Sequence, residues 1–173
     1  MTTLDPTRTA LILVDLMPRI IDLPLAPRPG AEALATGCLL AERFRASGAL
    51  VVAVRVERPG LDEQPPGSEL DERVAALADE VVVKHTIGGF HHTGLHELLQ
   101  ERDVSTLVLA GIATNLGVES TARGASDLGY ELTFAENAMA ALTAPEHEAA
   151  VRLNFPHFGE VAASADLTFN PGD

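Results

Sequence analysis

The chain has 173 residues, 46% hydrophobic and 21% charged, with 25 acidic against 12 basic side chains and a formal net charge of -13. That length predicts one domain over residues 1–173 with a substantial core. The acidic balance argues against nucleic acid and anionic membrane as partners, since both are gripped by clustered Lys and Arg. The single cysteine, Cys38, excludes an internal disulfide and a Cys-rich metal site. No basic N-terminal stretch leads into a long apolar segment, and nowhere do about 18 apolar residues run together, so a cytoplasmic protein is expected.

Apolar runs and helical stretches alternate along the chain. TALILVDL (9–16) reads as a strand buried on both faces. GAEALATGCLLAERFRASG (30–48) places Leu34, Cys38 and Ala41 at helical spacing and stops on Gly48, a C-cap residue. ALVVAVRV (49–56) is the second strand, and the Pro- and Gly-rich stretch 57–69 a surface loop. A short helix is predicted from Ser68, a strand over 80–83, and a helix over TGLHELLQER (93–102). STLVLAG (105–111), YELTFAEN (130–137) and EVAAS (160–164) add three strands, separated by helices near 115–128 and 144–153. Such alternation predicts a parallel sheet covered by helices on both faces.

In sheets of this kind ligands bind outside the carboxyl ends of the strands, where the strand order reverses. Asp15, Arg55 to Arg58, Lys84 with His85, and the GIATN junction all follow apolar runs and are expected to converge there. An aspartate inside an apolar strand needs a partner to offset its desolvation. Lys84 is the only lysine among the 12 basic residues, so a role needing a compact ammonium is indicated. If Asp15 and Lys84 face each other, each compensates the other's burial. Thr114 or Asn115 is the expected N-cap of the next helix, whose free N–H groups would point at the pocket.

The segments ALILVDLM, VVVKHTIGGF and LVLAGIATNLGVESTARGASDLGY resemble the isochorismatase-like cysteine hydrolase superfamily over about residues 9 to 167. The resemblance implies a three-layer α/β/α fold around a six-stranded parallel sheet. It also implies an Asp, Lys, Cys triad, of which Asp15 and Lys84 match two. Gly117 stands at the cysteine position. Cys38 lies far upstream in a predicted helix and cannot be carried onto it; it reads as a small buried hydrophobe. Amide cleavage through an acyl enzyme therefore lacks its nucleophile. The resemblance leaves open the branch of true isochorismatases, which can lack the cysteine and hydrolyse a vinyl ether with the aspartate as acid, a role that would fall here to Asp15 with Lys84 as charge partner and substrate anchor. Lys84 would lower the Asp15 pKa and burial would raise it, a balance the sequence leaves open.

The resemblance further implies a non-prolyl cis peptide before Ala113 and a polar cradle from the amides of Ala113 and Gly117, with glycine leaving the substrate room that a thiol would fill. Asn115, Arg55, Phe90 and His85 are candidate substrate-binding residues, with Arg58, His91 and His92 behind them. The adjacent histidines do not form a metal site, the Asp and His pattern of nicotinamidases is absent after the second strand, and neither metal nor cofactor is expected. Glu119 and Arg123, one helical turn apart, read as a structural pair. The expected partner is a small-molecule substrate, a carboxylated one among the candidates, and a homo-oligomer, dimer or larger, is implied. Three readings stand: a cofactor-free hydrolase of a small metabolite, a catalytically inactive binding or assembly protein on the same fold, and an amide hydrolase that uses activated water.

Overall fold

All six residues of β2 (Thr9–Val14) are buried, as a central strand covered on both faces requires. In the computed structural model, which describes residues 1–170, β2 lies inside a six-stranded parallel sheet with β3 (Leu50–Val56), β4 (Glu80–Lys84), β5 (Thr106–Ile112), β6 (Glu131–Ala140) and β7 (Gly159–Ala162). The order is β4-β3-β2-β5-β6-β7. The chain steps outward from β2 to β4 and then returns to the other side of β2 as β5, so the order reverses between β2 and β5. Alternation along β2 splits the core. Leu11 and Leu13 join Val51, Ala53, Val108 and Ala110 beneath α2 (Gly30–Ser47). Ala10, Ile12 and Val14 join Val52, Val54, Leu107 and Leu109 beneath α4 (Leu95–Glu101) and α5 (Glu119–Asp127). Each of these fully buried Leu, Ile or Val side chains contributes about 1.5–3 kcal/mol. Cys38 sits in the α2-side core, where burial pushes its thiol pKa up.

Most predicted elements form, with informative differences at their ends. β2 stops at Val14 rather than residue 16 because Asp15 adopts φ +53, a left-handed conformation that breaks the strand and that Asp tolerates better than most residues. α2 ends as expected, with Gly48 in the left-handed region. The helix predicted from Ser68 begins instead at Glu72 as α3 (Glu72–Leu77), because the Asp71 carboxylate accepts the Arg73 N–H at 3.0 Å and caps it; Ser68 is buried in the preceding turn. Neither Thr114 nor Asn115 caps the helix after β5. A π-helical turn (Thr114–Val118) comes first, with Ala113 at the cap position and no side-chain cap, since the Thr114 hydroxyl is engaged by His147. α6 (Ala144–Ala149) also runs into a π-helical segment, Ala150–Asn154. Three elements carried no readable periodicity: α1 (Pro18–Ile21), and β1 (Thr2–Leu4) with its parallel partner β8 (Leu167–Phe169). Among the described residues no helix is long and apolar enough to cross a membrane.

Candidate active site

The site is built where β2 and β5 end. Gly111, at φ +121, is required there, because a Cβ on it would lie 2.1 Å from the Val14 carbonyl oxygen. This close approach sets the π-helical turn directly over Asp15. The Ile112–Ala113 peptide bond is cis. From the far side, the last residue of β4 reaches across: Lys84 Nζ lies 2.8 Å from Asp15 Oδ2, and the two side chains are 2% and 7% exposed. Lys84 also donates to the Ile87 carbonyl at 2.6 Å, which wraps the loop after β4 around the ammonium. Two of its three N–H donors are thus used and one is left. Asp15 Oδ1 is buried and, among the described residues, has no hydrogen-bond partner.

Burial pushes the Asp15 carboxyl above its ordinary value of 3.8, and the charge and hydrogen bond of Lys84, with the charge of Arg19, pull it back only in part. Desolvation therefore outweighs the ion pair. Gly117 faces both groups. A Cβ on it would lie 3.0 Å from Asp15 Oδ2, 3.1 Å from Val14 Cγ1 and 3.4 Å from Lys84 Nζ. Gly117 lines the cavity, and these distances add that the turn sits close on the ion pair, so that a first side-chain carbon here would press on Asp15 and Val14. The turn is held down by Thr121, whose hydroxyl donates to the Gly117 carbonyl at 2.6 Å and accepts the Gly89 N–H at 3.0 Å.

A cavity of about 430 Å³ opens over the pair. Asp15, Lys84, Gly117, Ala113, His85 and Arg58 line it. Three substrate-binding candidates lie elsewhere. Arg55 is held by Glu57 at 2.6 Å and is not part of the lining. Phe90 packs against Tyr130, ring centroids 5.8 Å apart, and borders a separate depression with His91 and Gly124. Asn115 is outside the lining too, with its side-chain oxygen buried in the turn. The His91 and His92 rings meet edge to face, centroids 4.1 Å apart. Glu119 pairs with Arg123 at 2.8 Å and accepts from Asn154, away from the cavity. Among the described residues no group of three or more His, Cys, Asp or Glu could hold a metal ion.

Two features had no sequence signal. The aliphatic lining from Ile20, Leu23, Leu25 and Leu142 comes from segments that only the fold brings to β5. Behind the turn, Thr114 Oγ1 and His147 Nδ1 are 2.8 Å apart, His147 Nε2 is 3.7 Å from Glu136, and Arg28 holds the Glu136 and Met139 carbonyls. Burial lowers the His147 pKa below its ordinary 6.5, with Arg28 acting in the same direction and Glu136 opposing.

Comparison with known proteins agrees with this architecture. The Isochorismatase domain model matches residues 9–166. The uncharacterized isochorismatase family protein YecD of Escherichia coli O157:H7 is 34% identical, over 96% of this chain and 98% of its own length. Streptothricin hydrolase of Streptomyces noursei is 34% identical over 79% of this chain and 51% of its own. The solved structure of an isochorismatase family protein from Burkholderia thailandensis superposes with a TM-score of 0.81 at 35% identity, covering 95% of each chain. The domain model over residues 9–166, together with a relative 34% identical over nearly the whole of both chains, shows that the chain belongs to the isochorismatase family.

Proposed function

We propose that the protein hydrolyses a small carboxylated enol ether without a protein nucleophile, with Asp15 as general acid and Lys84 as its charge partner and substrate anchor. The observation that carries this reading is the raised pKa of a buried Asp15 beside an intact Lys84 contact. A carboxyl whose proton affinity burial raises is a better proton donor to carbon at neutral pH than an exposed one, and an ammonium at 2.8 Å stabilises the carboxylate that results. Gly117 supplies no nucleophile, and this reaction needs none.

Asp15 transfers its proton to the terminal methylene carbon; a C–H bond forms as the carbon–carbon π bond breaks, leaving an oxocarbenium ion. Water adds to the cationic carbon and its proton returns to Asp15. The hemiketal then loses its alcohol, so enol ether and water yield a 2-keto acid and an alcohol. The unused Lys84 donor suits the substrate carboxylate, which draws the ammonium partly away from Asp15 and keeps the acid protonated.

Pyruvate release from a 2-alkoxyacrylate tests the reading, compared between the parent protein and Asp15→Asn. The expected loss in the variant is about 10²–10⁴-fold in rate with ligand affinity retained. Near-parental turnover by Asp15→Asn overturns the assignment, and tight ligand binding by a parent protein that releases no pyruvate favours the binding-protein reading instead.

A further inference from the structure

The hydrolysis reading leaves the substrate's body unspecified, and the cavity wall is specific about it. Apart from the Asp15–Lys84 pair at its floor, the wall is mainly aliphatic, with Ile20, Leu25, Ile87, Ile112, Leu116 and Leu142 around the opening. The remaining charges are largely spoken for. Glu57 is bound by Arg55 at 2.6 Å, and its backbone carbonyl lies 3.3 Å from His85 Nδ1. Arg58 is the one lining arginine, exposed to solvent and without an ion pair among the described residues. Among the described residues the buried part of the cavity thus offers the third N–H of Lys84 as its free charged donor, and the exposed Arg58 is the other.

We propose, building on the enol-ether reading, that this site selects a monocarboxylate whose alkoxy part is a hydrocarbon, aliphatic or aromatic, over substrates carrying a second anionic group on that part. The carboxylate takes the Lys84 donor, the vinyl carbon faces Asp15, and the hydrocarbon lies against the leucine and isoleucine wall. Burying that body releases its apolar surface from water. A second carboxylate held against the leucine and isoleucine wall would be desolvated there without a partner, and only one directed to the rim would meet the exposed Arg58, where water screens the pair. The volume of about 430 Å³ is in the range of small-molecule sites.

The test uses two pairs of compounds. Saturated ethers that cannot react, 2-(cyclohexyloxy)propanoate and its analogue with a carboxylate on the ring, report binding by calorimetry on the full chain. The matching acrylates report turnover as pyruvate release. The monoacid is expected to bind tighter than the diacid by about tenfold or more, and Leu142→Arg, which adds a cation to the wall, is expected to narrow that ratio. Monoacid preference without turnover supports the substrate class while removing the hydrolysis reading. Equal or tighter binding of the diacid, or no binding of either compound, overturns the inference, and pyruvate release from the diacid acrylate in that case leaves hydrolysis standing alone.

Discussion

Replacing Lys84 by methionine probes the site through stability as well as rate. Methionine keeps a long flexible stem and removes the ammonium, leaving the Asp15 carboxylate, 7% exposed, without its partner at 2.8 Å. Breaking a buried ion pair costs about 3–5 kcal/mol when the orphaned charge persists. Asp15 has an escape, because it can take up a proton. At pH 7 that caps the electrostatic loss at about 4 kcal/mol, the cost of neutralising a carboxyl whose ordinary pKa is 3.8. The direction with pH is also determined. A carboxyl whose folded pKa is raised contributes stability that is fully present below its unfolded pKa and is lost as pH rises through the folded one. Lys84 supplies the two largest influences that oppose burial at Asp15, so its removal raises the folded pKa further. The penalty therefore opens at the pH where Asp15 ionises in the parent and grows by about 1.4 kcal/mol per pH unit until the variant's carboxyl ionises as well. Urea unfolding of both proteins between about pH 4 and pH 8 measures this difference. A stability difference that is the same at every pH refutes the reasoning, since lost packing alone would behave that way.

The rate on an enol ether should fall as pH rises through the raised Asp15 pKa, because the reacting form is the protonated one; a pH–rate profile that climbs through this range instead makes Asp15 a base. Gly117→Ala should show none of the gain of about 0.5–1 kcal/mol that alanine normally has over glycine in a helical turn, because its Cβ would meet Asp15 Oδ2 and Val14 Cγ1 at 3.0 and 3.1 Å, and a clear rise in the urea midpoint would contradict the crowding. Gly117→Cys, crowded at the same carbon, should gain no amide hydrolysis, and release of ammonia from a small amide would show that an acyl-transfer site is intact. His147 has a lowered folded pKa, so its contribution is present above 6.5 and is lost as pH falls from there through the folded pKa; His147→Gln should flatten that part of the stability profile, and equal profiles would remove His147 as its source.

Much of the fold is legible locally. The unbroken apolar run before Asp15 fits a strand buried on both faces, and Gly48 marks a helix end because glycine alone enters the left-handed region without cost. The solitary lysine and the aspartate after an apolar run stand out by residue type alone. Less legible are choices between equivalent local signals. Ser68 and Asp71 can both cap a helix, and the one whose carboxylate meets the Arg73 N–H wins. Arg55, inside the apolar run, is the better substrate-binding candidate by sequence, yet Glu57 takes it and Arg58 is the one left at the cavity. Thr114 is a good cap by type, but His147, 33 positions later, claims its hydroxyl.

Residue order alone thus determined the alternation of strand and helix, the acidic surface and the identity of the two charged groups at the site, since periodicity, composition and residue type are properties of short segments. Tertiary structure decided that these groups lie 2.8 Å apart, that desolvation outweighs their attraction at Asp15, and that the wall above them is aliphatic. Each of these depends on what distant segments bring to one place, and on how completely they exclude water from it.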